Sequence, residues 1–392
     1  MNRNETDKLV QEIMLDFARL TGLAPADAHP RRYLWTDAFA VCNYLELFRL
    51  TLDENYRDLA LALVNQVHHT LGRHRDDDPR RGWIGGLDDQ EGELHPTRRG
   101  LRIGKKLNER KSNEPPNERL EWDQDGQYYH YLTKWMHALN RVSRVTEDPT
   151  YTGWAIELAK AAHSRFTYSP PTGVRKRMYW KMSIDLTHPL VSSMGQHDPL
   201  DGFVTYSELQ SAAVVIGKSS LPDLENEIAD MAEICRDMGK NLATDDPLGI
   251  GGLLFDASRI AQLMIQGGLK YESLLENVVD SAVLGLEYFV SNNQLEDPAE
   301  YRLAFRELGL SIGFSAVENL QKGIEKNPGV FSRGSRLPRL ADELMEYLPL
   351  GKRIEQFWMD DRNRQARTWI EHREINMVML ATSLAPNEFL MI

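Results

Sequence analysis

Hydrophobic and polar positions follow a helical rhythm over most of this chain. Val10, Ile13, Met14, Phe17 and Leu20 recur every three or four residues, and Gly22 and Pro25 close that run. Residues 36–50 are apolar nearly all round (Phe39, Val41, Cys42, Tyr44, Leu45, Leu47, Phe48), the pattern of a helix buried on most sides. Thr36 or Asp37 is the expected N-cap of that helix. Residues 56–71 instead gather Arg57, Asp58, Asn65 and Gln66 on one face and predict an outer helix. The same inner and outer contrast returns in residues 127–145 and 150–166. Three looser pairs follow: 203–216 with 222–239, 252–267 with 272–291, and 300–321 with 337–358. Residues 366–385 predict a last helix with which the N-terminal helix can pair. About twelve helices are expected in all, with almost no strand signal.

Two of these hairpins are copies of each other. Arg49, Thr51, Asp53, Tyr56, Ala60, Leu63 and His68 recur 95 positions later as Arg144, Thr146, Asp148, Tyr151, Ala155, Leu158 and His163. Self-similarity at a fixed period marks a fold built from repeated units. A closed ring of hairpins then accommodates all 392 residues in one domain, although the length alone would suggest two.

Two stretches break the rhythm. Residues 72–121 are rich in Gly, Pro and charge, acidic at first (Asp76, Asp77, Asp78, Asp88, Asp89) and basic later (Arg98, Arg99, Arg102, Lys105, Lys106, Arg110, Lys111). Trp83, Ile84, Leu101, Ile103 and Trp122 give this stretch apolar anchors, so an ordered rim loop is expected. The second stretch, residues 167–202, carries Tyr179, Trp180, Lys181, His188, His197, Asp198 and Asp201.

The net charge of −12 argues against a nucleic-acid binder, which needs clustered Lys and Arg for phosphates. Cys42 and Cys235 are too few and too isolated for a disulfide framework or a thiolate metal site. No uninterrupted apolar stretch reaches the ~18 residues of a membrane span, and Met1 to Lys8 is polar rather than signal-like. A cytoplasmic protein with no membrane and no nucleic-acid partner is expected, its oligomeric state left open.

Candidate chemistry lies just before the inner helices, where a ring of hairpins would gather side chains around one central cavity. Trp35 and Asp37 precede or open the first. Trp122 and Asp125 precede the second, which begins with Gln127, Tyr128 and His130. His197, Asp198 and Asp201 precede the third, and His372 and Arg373 open the last. Aromatic faces stack on the C–H surface of a sugar, while carboxylates, amides and imidazoles satisfy its hydroxyls. A small-molecule or oligosaccharide substrate is the expected partner. Asp125, Asp201 and Asp37 are the candidate catalytic carboxylates, and two carboxyls can divide acid and base roles. Trp35, Trp122, Gln127, Tyr128, His130, Trp180, Lys181, Asp198 and Arg373 are candidate substrate contacts. Each Asp is equally well explained as a helix cap, and each Trp as core packing. Gly100, Gly104 and Lys105 have the wrong spacing for a phosphate loop, and Gly249, Gly251 and Gly252 lack the third fingerprint glycine of a dinucleotide fold. No pattern calls for a metal or a cofactor.

The Trp35–Asp37 and Asp123–Tyr128 segments, with Thr-x-Asp-x-x-Tyr-x-x-x-Ala between helices, resemble the six-hairpin glycosidase superfamily, including N-acylglucosamine 2-epimerase-like proteins. That resemblance implies an all-α (α/α)6 toroid. Its hydrolase branch implies two carboxylates on a glycosidic bond, Asp125 or Asp201 with Asp37 or Asp198, and is the expected activity. Its epimerase branch implies paired histidines, His197 and His372, with Arg373 steadying an oxyanion. A non-catalytic sugar-binding scaffold, or a lyase holding acidic sugar with Arg102, Lys105, Lys106 and Lys181, are further alternatives.

Overall fold

A computed structural model of the chain describes residues 3–171, 175–217, 221–238, 242–267, 271–332 and 334–392. They divide into two compact units: Ala18–Cys235, and Arg236–Ile392 joined by the N-terminal residues up to Phe17.

The first unit is a pair of repeated hairpins followed by a third inner helix. α1 (Arg3–Leu20) leads into it. The inner helices are α2 (Leu34–Thr51), α6 (Tyr129–Thr146) and α8 (Asp198–Ile216). α3 (Glu54–Leu71) and α7 (Thr150–Phe166) back the first two, and α9 (Glu225–Met238) follows the third. α2 packs on α6, and α6 on α8. α2 is buried continuously from Leu34 to Leu47, as its all-round apolar pattern requires.

The repeated motif is turn chemistry. Thr51 Oγ1 donates to the Leu47 carbonyl and accepts from the Asp53 N–H, and Asp53 caps α3 by accepting from the Asn55 N–H at 3.0 Å. In the second copy Thr146 bonds Val142 and Asp148, and Asp148 accepts from the Thr150 N–H at 2.9 Å. Between them Leu52 and Glu147 adopt the same left-handed conformation, φ 59° and 58°. His68 and His163 end the copies as buried core residues. His68 accepts from the Trp135 indole at 3.2 Å, and His163 Nε2 lies 3.1 Å from Asp230.

Several boundaries differ from expectation. α2 starts at Leu34 after Tyr33, so neither Thr36 nor Asp37 is its N-cap. α8 starts at Asp198, placing Asp201 inside the first turn rather than before the helix. The long connection after α3 contains a 3₁₀ turn at Ile84–Gly86, α4 (Asp89–Leu94) and α5 (Glu118–Glu121). Trp83, Ile84, Leu101 and Ile103 anchor it as buried residues, whereas Trp122 is 54% exposed. Short strands also appear. β1 (Gln127–Tyr128) pairs antiparallel with β4 (Lys181–Met182), which pairs with β5 (Pro189–Val191). β2 (Thr167–Tyr168) pairs with β3 (Arg177–Met178). Two- and three-residue strands carry no readable alternation.

In the second unit α10 (Pro247–Ile265) packs on α12 (Ala304–Lys326), and α12 packs on α16 (Arg373–Leu384). α11 (Glu272–Ser291) connects the first two, and α13 (Leu337–Met345), α14 (Leu348–Met359) and α15 (Arg367–Glu371) connect the last two. α17 (Asn387–Leu390) follows α16. The helix expected over 337–358 is two, because Pro349 begins a new one, and that expected over 366–385 breaks at His372. α10 and α12 cross at glycines: a Cβ on Gly251 would lie 2.2 Å from the Gly309 carbonyl oxygen. α10 is long and apolar enough to cross a membrane by composition, but 72% of that window is buried inside the protein. A buried Arg302 forks onto Glu307 at 2.8 and 2.6 Å, and the Trp358 indole donates to the same carboxylate at 2.8 Å.

Candidate functional site

The ends of the first unit's inner helices gather aromatic rings. The antiparallel pairing of Tyr128 with Lys181 lays Trp180 beside Tyr128, with ring centroids 5.6 Å apart. Because α6 begins one residue later, His130 and Tyr131 turn back onto the same wall. The His130 ring lies 4.8 Å from Tyr131, 5.5 Å from Tyr128 and 6.5 Å from Trp180, stacked on the last two. From the start of α2, Trp35 reaches Tyr131 at 6.5 Å, and the Tyr33 and Tyr131 hydroxyls share a 2.6 Å hydrogen bond. Exposed Trp122 meets Trp180 edge-on at 5.2 Å.

Two titratable groups meet at this wall with their usual charges suppressed. His130 Nδ1 lies 3.7 Å from Asp198 Oδ1. Burial raises the Asp198 pKa to about 8, neighbouring Asp201 adds to the rise, and Lys134 opposes it. Among the described residues Asp198 Oδ2 has no hydrogen-bond partner, and Gly195 packs so closely that a Cβ there would lie 2.4 Å from it. His130, one third exposed, is lowered to about 4 by desolvation among the rings and by Lys134, against the pull of Asp201. Both shifts run toward an uncharged imidazole beside a protonated carboxyl at neutral pH. Asp201, one turn along α8, accepts from the Thr133 hydroxyl at 2.5 Å and from the Lys134 ammonium at 2.7 Å. His197 is the half-buried N-cap residue of the same helix and makes no side-chain cap bond.

The other sequence candidates occupy different positions. Asp125 is fully buried: Arg102 donates to its Oδ2 at 2.6 Å, and the Gly104, Lys105 and Gly126 amides donate to its Oδ1. Asp37 accepts the Tyr33 N–H at 2.9 Å and sits 3.5 Å from buried Arg32, with burial raising its pKa to about 6. Gln127, also buried, accepts from the Leu101 amide and donates to the Ile184 and Arg99 carbonyls, tying loops together. Lys181 is buried, donates to the Glu121 and Gln124 carbonyls, and has its pKa lowered chiefly by that burial. His372 and Arg373 belong to the other unit, where His372 lies edge-on to Phe305 at 5.5 Å and Arg373 is exposed. Tyr131, Thr133 and Lys134 were not among the sequence candidates. The Tyr128–Tyr131 run of aromatics pointed to the first of them, and helical spacing from His130 to the last. Among the described residues, no group of three or more His, Cys, Asp and Glu side chains is arranged to hold a metal ion.

The chain is similar in structure to a sugar epimerase from a ruminal bacterium, at 11% identity and a TM-score of 0.50, covering 98% of each chain. Weaker likenesses are to the cellobiose 2-epimerases of Spirochaeta thermophila DSM 6192 (12% identity, TM-score 0.47, 96% and 98% covered) and Bacillus thermoamylovorans B4167 (13%, 0.46, 88% and 87%). No protein-family model matches the sequence. No curated protein matches it. At such identities the first likeness speaks for the fold: the all-α (α/α)6 class to which the repeated hairpins pointed.

Proposed function

We propose that this protein is a sugar epimerase or isomerase that moves a proton at the carbon beside a sugar carbonyl. One observation carries this reading: a neutral imidazole and a protonated carboxyl held 3.7 Å apart against an aromatic wall. Such chemistry needs a base and an acid at once. His130 takes the C–H proton while the Asp198 O–H gives its proton to the carbonyl oxygen, forming an enediol. The neutral pair becomes an imidazolium–carboxylate pair, whose mutual attraction at this short separation offsets part of the cost of charging both groups. Returning the carbon proton to the neighbouring carbon gives the isomer, and returning it to the original carbon gives the epimer once the enediol has turned its other face to His130. The carboxylate recovers the hydroxyl proton, so atoms and charge balance without a cofactor. Tyr128, Tyr131 and Trp180 supply stacking faces. The fold shared with a structure described as a sugar epimerase supports the same branch.

The hydrolase reading, first choice from sequence, retains one supporting observation. Asp198 and Asp201 share one face of α8, one neutral and one bonded to Lys134. Asp125, with both carboxylate oxygens engaged by the loop, is a poor candidate for that role.

Incubation of aldoses and disaccharides in D₂O distinguishes the two. Solvent deuterium on the carbon beside the carbonyl, abolished in His130→Gln, is the expected result. New reducing ends without deuterium on carbon would favour hydrolysis, and neither product would sink both enzyme readings.

A further inference from the structure

We propose that the sugar taken by this site carries an anionic group, a phosphate or a carboxylate, and that Lys105 is the cation that receives it. The inference rests on the sugar-isomerase reading above.

The loop holds Lys105 in place before any ligand arrives. The Gly104 and Lys105 amides donate to Asp125 Oδ1 at 3.0 and 3.3 Å, and buried Arg102 fixes that carboxylate. The Arg75 guanidinium donates to the Lys105 carbonyl and, at 2.8 Å, to the Lys106 carbonyl. Gly104 has φ +93°, and a Cβ there would lie 2.2 Å from the Arg32 carbonyl oxygen, so glycine is required for the loop to run this close to the start of α2. The buried Asp125–Arg102 pair thereby serves to position Lys105.

That placement brings the ammonium to the aromatic wall. Lys105 Nζ lies 5.3 Å from the Tyr33 ring centroid, and Tyr33 bonds Tyr131, the ring against His130. No carboxylate among the described residues pairs with Lys105. A second ammonium, Lys181, sits 5.4 Å over Tyr128, and Lys105 is among the charges that depress its pKa. Glu121, the carboxylate facing Lys181, is shared with Arg110. With the buried Asp125–Arg102 pair counted, four cations (Lys105, Lys181, Arg110 and Arg102) stand against two carboxylates (Glu121 and Asp125) at this rim, in a chain whose net charge is −12. A neutral sugar needs stacking faces and hydroxyl partners, which the wall already provides. A preset ammonium without a counter-ion suits an anion, with which it forms charge-assisted hydrogen bonds.

Titration calorimetry with glucose, glucose 6-phosphate and glucuronate tests this on the full chain. At least one anionic sugar should bind about tenfold tighter than glucose, the gain of one hydrogen bond to a charged group. Lys105→Gln should bring that ratio close to one, while Lys106→Gln, an equal change in net charge, should leave it intact. Which anion is preferred identifies the source of the negative group. Equal binding of charged and neutral sugars, binding of none, or a preference that survives Lys105→Gln overturns the inference. The D₂O assay on the best-bound sugar separates the two claims. Preference without exchange sinks the isomerase reading and leaves Lys105 as an anion site. Exchange without preference sinks the Lys105 assignment alone.

Discussion

Replacing Asp198 by Asn should make the protein less sensitive to alkaline pH while cutting its turnover at least about a hundredfold. Burial lifts the Asp198 pKa from 3.8 to about 8, so the folded state holds a proton that the unfolded chain has released. A carboxyl with a raised folded pKa contributes stability that is fully present below its unfolded value and is lost as pH rises through its folded one. The affected window is therefore about pH 4 to 8. Between about pH 6 and 8.5 the wild-type protein should lose about 2–3 kcal/mol through this group. Asn keeps the size and an N–H donor but never ionises, so its contribution stays flat. Thermal unfolding of both proteins across this range gives the comparison, since the titrations of residues away from this cluster are common to the two. The wild-type Tm should fall by several degrees relative to Asp198→Asn as pH rises. Curves that run parallel from pH 6 to 8.5 would refute the argument, because Asp198 would then already be ionised at neutral pH and could not act as an acid.

The pH dependence of kcat/KM should show a plateau between about 4, where His130 becomes neutral, and about 8, where Asp198 loses its proton; an alkaline limb persisting in the residual activity of Asp198→Asn would contradict the assignment. Asp125→Asn should destabilise the protein by about 3–5 kcal/mol, because it leaves Arg102 buried without its counter-charge. Wild-type resistance to urea would show that the pair is not needed. Gly251→Ala should cost about 1–3 kcal/mol or more, since the added methyl would lie 2.2 Å from the Gly309 oxygen. Gly252→Ala, with nothing within 4 Å, should instead stabilise the same helix by about 0.5–1 kcal/mol. Thermal unfolding of the two variants checks both signs together.

The repeated hairpins were legible because their signal is local. Thr51, Asp53, Thr146 and Asp148 act within a few residues of themselves, so one turn chemistry leaves one pattern, written twice. The start of α8 was misplaced for a tertiary reason. Gly202 lies within the helix, where the Tyr129 hydroxyl occupies its side-chain space, 2.2 Å from where a Cβ would be. Asp125 and Asp37 drew attention through their position before or within helix starts, but what they bond to is set by Arg102 and Arg32. Spacing along the chain also does not bring His130 to Asp198. That contact depends on how α6 packs against α8. The candidate residue types were visible, and their pairing was not.

The same burial that makes Asp198 costly is what gives it a use. Exposed to water it would ionise near 3.8 and could neither protonate a carbonyl at neutral pH nor leave His130 uncharged beside it. The wall of Tyr128, Tyr131 and Trp180 lowers the local polarity, and Lys134, bonded to Asp201, keeps the second carboxylate one turn away from accepting the role. A variant that relieves this cost should be firmer and inert, whereas a purely structural Asp198 would lose nothing in turnover when replaced by Asn. The coupling between the two readouts is thus the discriminating one. Stability gained above pH 7 together with activity lost by at least about a hundredfold is the signature of a carboxyl kept neutral for proton transfer. Stability gained with activity retained would return Asp198 to the core and shift the acid role to another group.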